Sequence, residues 1–148
     1  MDKAAASPTL EVLLATARAR IERRSPREAF AAQQSGALIV DTRSSEDRER
    51  DGIVPGSLHI PRTVLEWRVA PDSRWRNPHI GGLEREVIVL CEHGYSSILA
   101  AATLVELGFA GAGDVIGGFE AWRDAGLPVG TAPARGGSGE LPGMGGHD

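Results

Sequence analysis

Short apolar runs, each cut off by polar or glycine-containing stretches, divide the middle of the chain. Ala37, Leu38, Ile39 and Val40 run together and end in Asp41, and Val87, Ile88, Val89 and Leu90 run together and end in Cys91. Unbroken aliphatic runs of this length fit strands buried on both faces of a parallel sheet. Leu58-His59-Ile60, stopped by Pro61, and Asp114-Val115-Ile116 read as two more short strands. Elsewhere the apolar spacing is helical. Ser7 and Pro8 suit an N-cap and first helical position, and Leu10, Leu13, Leu14, Ala17 and Ile21 recur on one face, with Arg18, Arg20, Glu22, Arg23 and Arg24 crowding the far face and the end. The spacing predicts an amphipathic N-terminal helix within residues 1–24.

Ser25-Pro26-Arg27-Glu28 has the form of a capping box, predicting a second helix to about Gln34, with Gly36 to stop it. Thr42 to Asp51 reads as a loop or a short charged helix. Thr63 to Gly82 has no clear period beyond a helix near Val64 to Val69, and its large aromatics, Trp67 and Trp75, either wall the pocket or fill the core, the core being the general rule for such side chains. Ser97 to Leu107 reads as a helix with Gly108 after it, and Gly117-Gly118 as a tight turn into a closing helix, Phe119 to Ala125, that buries Phe119 and Trp122. From Gly130 onward glycine and proline dominate, with Leu141 and Met144 as the remaining large apolar residues, so residues 130–148 read as a disordered tail. Strands alternating with helices predict an α/β fold: a single domain over residues 25–129, its central parallel sheet flanked by helices on both faces. Ligands in such sheets bind beyond the carboxyl ends of the strands, which is where Cys91 falls.

Composition narrows the function. A chain of 148 residues suits one such domain, and 16 Lys and Arg against 20 Asp and Glu leave a net charge of -4. That balance offers no general attraction to nucleic acid or to an anionic membrane, so neither is expected as a partner. No apolar run approaches the ~20 residues needed to span a bilayer, and Met1 to Pro8 lack the order of a signal peptide, so a cytoplasmic location is expected. The one cysteine cannot close an internal disulfide, and no Cys/His cluster has zinc spacing. No metal and no cofactor are expected, and His147 in the tail reads as solvated surface.

Cys91 is then structural or chemical. Cys91-Glu92-His93-Gly94-Tyr95-Ser96-Ser97 joins a buried strand to a helix N-terminus, where consecutive backbone N–H groups and the partial positive charge of the helix can favour a thiolate. Gly94 allows a tight loop, Ser96 or Ser97 can cap the helix or donate to an anion, and His93 can serve as a proton shuttle or remain a bystander. The alternative is that Cys91 is a small buried hydrophobe at a strand end.

Residues from about Ser25 to Val129 resemble the rhodanese-like sulfurtransferase family. Leu38-Ile39-Val40-Asp41-Thr42-Arg43 looks like its first core strand with the D-x-R ending, and Gly52 to Pro61 is similar to its G-H-I-x-G-A-x-x-I-P segment. Val87 to Ser97 looks like the strand and active-site loop, and Gly117-Gly118-Phe119-Glu120-Ala121-Trp122 like the closing turn and helix. The resemblance implies a catalytic Cys91 that takes a sulfane sulfur from thiosulfate or a persulfide and passes it to a thiol, a cyanide-like acceptor or a protein. Residues Glu92 to Ser97 would line the substrate site, with Asp41 and Arg43 supporting it.

The loop departs from the common family form C-x-x-G-x-R-S, because Ser96 stands in the arginine place and Glu92 adds a negative charge. Loss of a bidentate cation should weaken binding of a dianion such as thiosulfate. That departure keeps a second reading open, a non-catalytic rhodanese-like module that binds a partner. A phosphatase or arsenate reductase of this fold would need a longer C-x-x-x-x-x-R loop, and Ser97 stands in its arginine place.

Overall fold

The computed structural model describes residues 8–133. In chain order it contains α1 (Leu10–Arg18), β1 (Glu22–Arg24), α2 (Pro26–Gln34), β2 (Leu38–Asp41), α3 (Ser45–Asp51), β3 (Leu58–His59), α4 (Leu65–Val69), β4 (Val87–Leu90), α5 (Ser96–Glu106), β5 (Gly113–Val115) and α6 (Gly118–Asp124). Two 3-10 turns, Arg62–Val64 and Pro78–Ile80, complete the stretch without clear period. The strands form one parallel sheet in the order β1-β5-β4-β2-β3, with β4 at its centre.

Alternation along the central strands builds two cores. Leu38 and Val40 of β2 and Val87 and Val89 of β4 face Leu65, Val69, Ala101, Leu104 and Phe109. Ile39, Ile88 and Leu90 point the other way, onto Ala29, Val54, Phe119 and Trp122. All of these side chains are buried, as the unbroken apolar runs require. The Trp122 ring meets Phe30 edge to face at 5.8 Å, and its Nε1 donates to the Pro128 carbonyl at 2.8 Å, so the large ring keeps its one polar group satisfied.

The capping box forms as the sequence requires: Glu28 N donates to Ser25 Oγ at 3.1 Å and Ser25 N to Glu28 Oε1 at 2.9 Å. Other expectations need correction. Thr9 caps α1 in place of Ser7, and the helix ends at Arg18. Glu22–Arg24, expected in a helix, is an edge strand paired with β5. A three-residue run of long charged side chains carries no helical or strand period, and at a sheet edge such chains can lay their stems on the domain with their heads toward solvent or a partner. The helix α1 packs through Ala17 on Ile98 and Ala102 of α5, while Leu10 and Leu13 stay exposed. Trp67 is 58% exposed rather than in the core, and with Trp75 it lines an open groove of about 370 Å³ shared with Glu66, Asp72 and Arg74. Leu65 and Val69 take the inward face of α4, which leaves Trp67 on the outward one. Gly130, placed in the tail on the sequence, pairs with Ile53 in an isolated antiparallel bridge. Residues 134–148, His147 among them, lie outside the described residues.

Candidate active site

The central strand β4 delivers Cys91 to the carboxyl edge of the sheet, where the residue is 6% exposed. Gly94 N donates to Cys91 Sγ at 3.1 Å. The sequence leads one to expect several inward amides; among the described residues this is the one that meets the sulfur. The N–H groups of Tyr95, Ser96 and Ser97, at the start of α5, have no acceptor among the described residues, as expected of the first turn of a helix. Neither Ser96 nor Ser97 caps α5. Ser96 is exposed, whereas Ser97 is buried and donates through Oγ to Asp114 Oδ2 at 2.7 Å.

The closing turn holds the loop from behind. Phe119 N donates to the Cys91 carbonyl at 2.8 Å and Glu120 N to the Glu92 carbonyl at 3.1 Å. This approach needs bare glycine backbone on both sides. Gly94 has φ +86 and Gly118 φ +67; a Cβ on Gly94 would stand 2.5 Å from Gly117 N, and one on Gly118 2.5 Å from the Cys91 carbonyl oxygen.

Asp41 and Arg43 lie together under this loop. The fully buried Asp41 carboxylate accepts from Arg43 N at 3.0 Å, Arg43 Nη2 at 2.9 Å and Arg48 Nε at 3.1 Å. Arg43 also donates to the Gly52 carbonyl at 2.8 Å and to Glu92 Oε1 at 3.3 Å, and its guanidinium lies 4.0 Å from the centre of the Phe119 ring. Burial pushes the Glu92 carboxyl above its usual range; Arg43 opposes the rise and the neighbouring Asp51 adds to it. His93 and Tyr95 sit at the surface: His93 Nδ1 is 3.1 Å from Glu120 Oε1, and Tyr95 is 70% exposed.

Two residues at the site escape the sequence reading. Arg23 of β1 and the buried Asp114 of β5 stand opposite each other in register, and Arg23 Nε and Nη2 bind the two Asp114 oxygens at 2.9 and 3.0 Å. Arg23 Nη2 also donates to the Gly94 carbonyl at 3.2 Å. The available signal was Asp114 itself, an acid opening an otherwise apolar strand and so in need of a buried partner. Trp67 and Trp75 belong to their own groove, whose lining includes no residue of the Cys91 loop.

The family described as Rhodanese-like domain matches residues 25–125. The chain is 35% identical over 98 residues to the thiosulfate sulfurtransferase GlpE of Pseudomonas savastanoi pv. phaseolicola, covering 66% of this chain and 83% of that protein. It is 37% identical over 98 residues to the GlpE of Stutzerimonas stutzeri, covering 66% and 81%. Among solved structures, a protein of unknown function from Rhodopseudomonas palustris, described as a possible tyrosine phosphatase, superposes with a TM-score of 0.76 at 34% identity over 83% of this chain and 95% of that one. With four sequence motifs meeting at one sheet edge and a match across most of its length, the chain belongs to the rhodanese-like (sulfurtransferase) domain family.

Proposed function

We propose that this protein transfers sulfane sulfur through a persulfide on Cys91. The Cys91 thiolate attacks the outer sulfur of thiosulfate; a new S–S bond forms, the S–S bond of the donor breaks, and sulfite leaves with the electron pair. A thiolate or cyanide then attacks the terminal sulfur, and the Cys91 thiolate leaves as the second S–S bond breaks. The acceptor departs as a persulfide or as thiocyanate. No metal or external redox partner enters this balance. The observation that carries the reading is the Gly94 N–H aimed at Sγ at 3.1 Å, beside the open amides of the α5 first turn. The Gly94 N–H stabilises the thiolate at Sγ, and the open amides of the α5 first turn are the donors for the charge that moves to the outer sulfur of the persulfide.

The relatives named thiosulfate sulfurtransferase support the donor class. Glu92, His93, Tyr95 and Ser96 stand around the mouth of the loop, where they meet donor and acceptor, while Asp41 and Arg43 hold its base. A reducing cytoplasm, in which a lone thiol stays free, suits this chemistry.

The test is intact mass after incubation with thiosulfate. Wild type should gain the mass of one sulfur atom, lose it on addition of cyanide, and Cys91→Ala should gain none. No added sulfur on wild type, or equal addition to Cys91→Ala, overturns the proposal; so does Cys91-dependent hydrolysis of an aryl phosphate in place of sulfur transfer.

A further inference from the structure

The Cys91–Ser97 loop contains no lysine or arginine, and its acid and its histidine already have partners. Glu92 faces Arg43 and Asp51, and His93 faces Glu120. Of the nearby cations, Arg43 is taken up by Asp41, Glu92 and the Gly52 carbonyl, and Arg48 by Asp41. Among the described residues one further guanidinium touches the loop, and it comes from a strand at the edge of the sheet.

We propose that Arg23 is a positioning and specificity residue of the Cys91 site: reaching from β1, it braces the Gly94 carbonyl and gives the sulfur a positive field that favours anionic donors. The proposal rests on the sulfur-transfer reading above and identifies the donor charge that the site accepts. Its geometry is built into the fold. Parallel pairing sets Arg23 opposite Asp114, whose carboxylate is fully buried and also accepts from Ser97 Oγ at 2.7 Å, so one acid joins β1, β5 and the first turn of α5. A bidentate pair fixes the plane of the guanidinium. Nη2 is thereby directed at the Gly94 carbonyl, while Gly94 N holds Sγ, so the two sides of a single residue link Arg23 to the sulfur. Among the described residues nothing accepts from Arg23 Nη1, and the side chain keeps 23% exposure, so donors remain for an incoming anion. Hydrogen bonding to Asp114 holds the Arg23 pKa above its usual value against the opposing effect of burial, and the charges of Asp114 and of Cys91 add smaller contributions. The attraction between guanidinium and sulfur anion is mutual.

Asp114 cancels part of this field, so the effect is a matter of several-fold rather than orders of magnitude. It is measured by alkylating Cys91 in the full chain with iodoacetate, an anion, and with iodoacetamide, its neutral counterpart. Both react with the same thiolate through the same opening, so the ratio of their rates cancels thiol ionisation and access and reports the local potential. Arg23→Gln should lower the iodoacetate-to-iodoacetamide ratio about fivefold. Adding Ser96→Arg to that variant should restore the ratio, and Asp114→Asn alone should raise it above wild type. Arg23→Gln combined with Asp114→Asn removes the unpaired buried acid, guards against misfolding, and must still fall below wild type.

An unchanged ratio in Arg23→Gln, or a fall of equal size in Asp114→Asn, overturns the proposal. Because alkylation needs no turnover, a ratio that falls while wild type accepts no sulfur from thiosulfate refutes the sulfur-transfer reading and leaves the charge assignment standing.

Discussion

Replacing Gly94 with alanine should cripple the site without touching the cysteine. Two effects combine. At φ +86 an L-residue is in the left-handed region, a strain of about 1–2 kcal/mol. The new Cβ would also stand 2.5 Å from Gly117 N and 2.9 Å from Gly117 Cα, backbone atoms pinned by the α6 hydrogen bonds to the loop, and relieving such overlap costs roughly a further 1–3 kcal/mol. Gly126→Ala separates the two effects, because Gly126 has φ +75 with nothing within 4 Å of the added atom, so strain alone applies. At roughly 2–4 °C per kcal/mol for a chain of this size, Gly94→Ala should melt about 4–20 °C below wild type, and Gly126→Ala about 2–8 °C below. Thermal unfolding followed by circular dichroism gives both shifts, and intact mass after thiosulfate treatment gives the loading of Cys91. The loop must move away from Gly117 to admit the methyl, taking the Gly94 N–H away from Sγ, so loading of the folded variant should fall about tenfold or more, as when an anion-stabilising donor is lost. Equal shifts in the two variants, or normal loading of Gly94→Ala, would refute the claim that close backbone approach holds the loop.

Glu92→Gln should change the pH dependence of stability. The Glu92 carboxyl titrates above its ordinary value near 4.5 when folded, so ionising it opposes folding: the penalty is absent below the unfolded value and complete above the folded one. The glutamine variant should therefore melt higher than wild type at neutral pH and lose that advantage as pH falls toward about 4.5; a variant less stable at neutral pH, with a gap that closes in acid, contradicts this. Asp41→Asn leaves Arg43 and Arg48 sharing one neutral acceptor in a buried place, and urea unfolding should show a loss of about 3–5 kcal/mol. A loss under 1 kcal/mol would mean that the pair does not hold the base of the loop.

The sequence alone determined the central elements and the place of the cysteine. Val87 to Leu90 and Leu38 to Asp41 are buried on both faces, and a run with no polar alternation can sit nowhere else in a small domain, so the sheet and the place of Cys91 at its edge were legible. The capping box of α2 was equally so, because its hydrogen bonds are local. The tertiary structure decided what depended on partners distant along the chain. Glu22–Arg24 became a strand because β5 offered an unpaired edge, 91 residues from Arg23 to Asp114, and no local propensity carries that information. The same holds for the loop's charge: Ser96 leaves it without a cation of its own, and the fold brings one across from β1. Trp67 turned outward because two aliphatic neighbours on a helix of five residues filled its one inward face. Local hydrogen bonds and uniform burial can be read from neighbouring residues, whereas the pairing of buried charges is settled only when the sheet order sets which strands lie side by side.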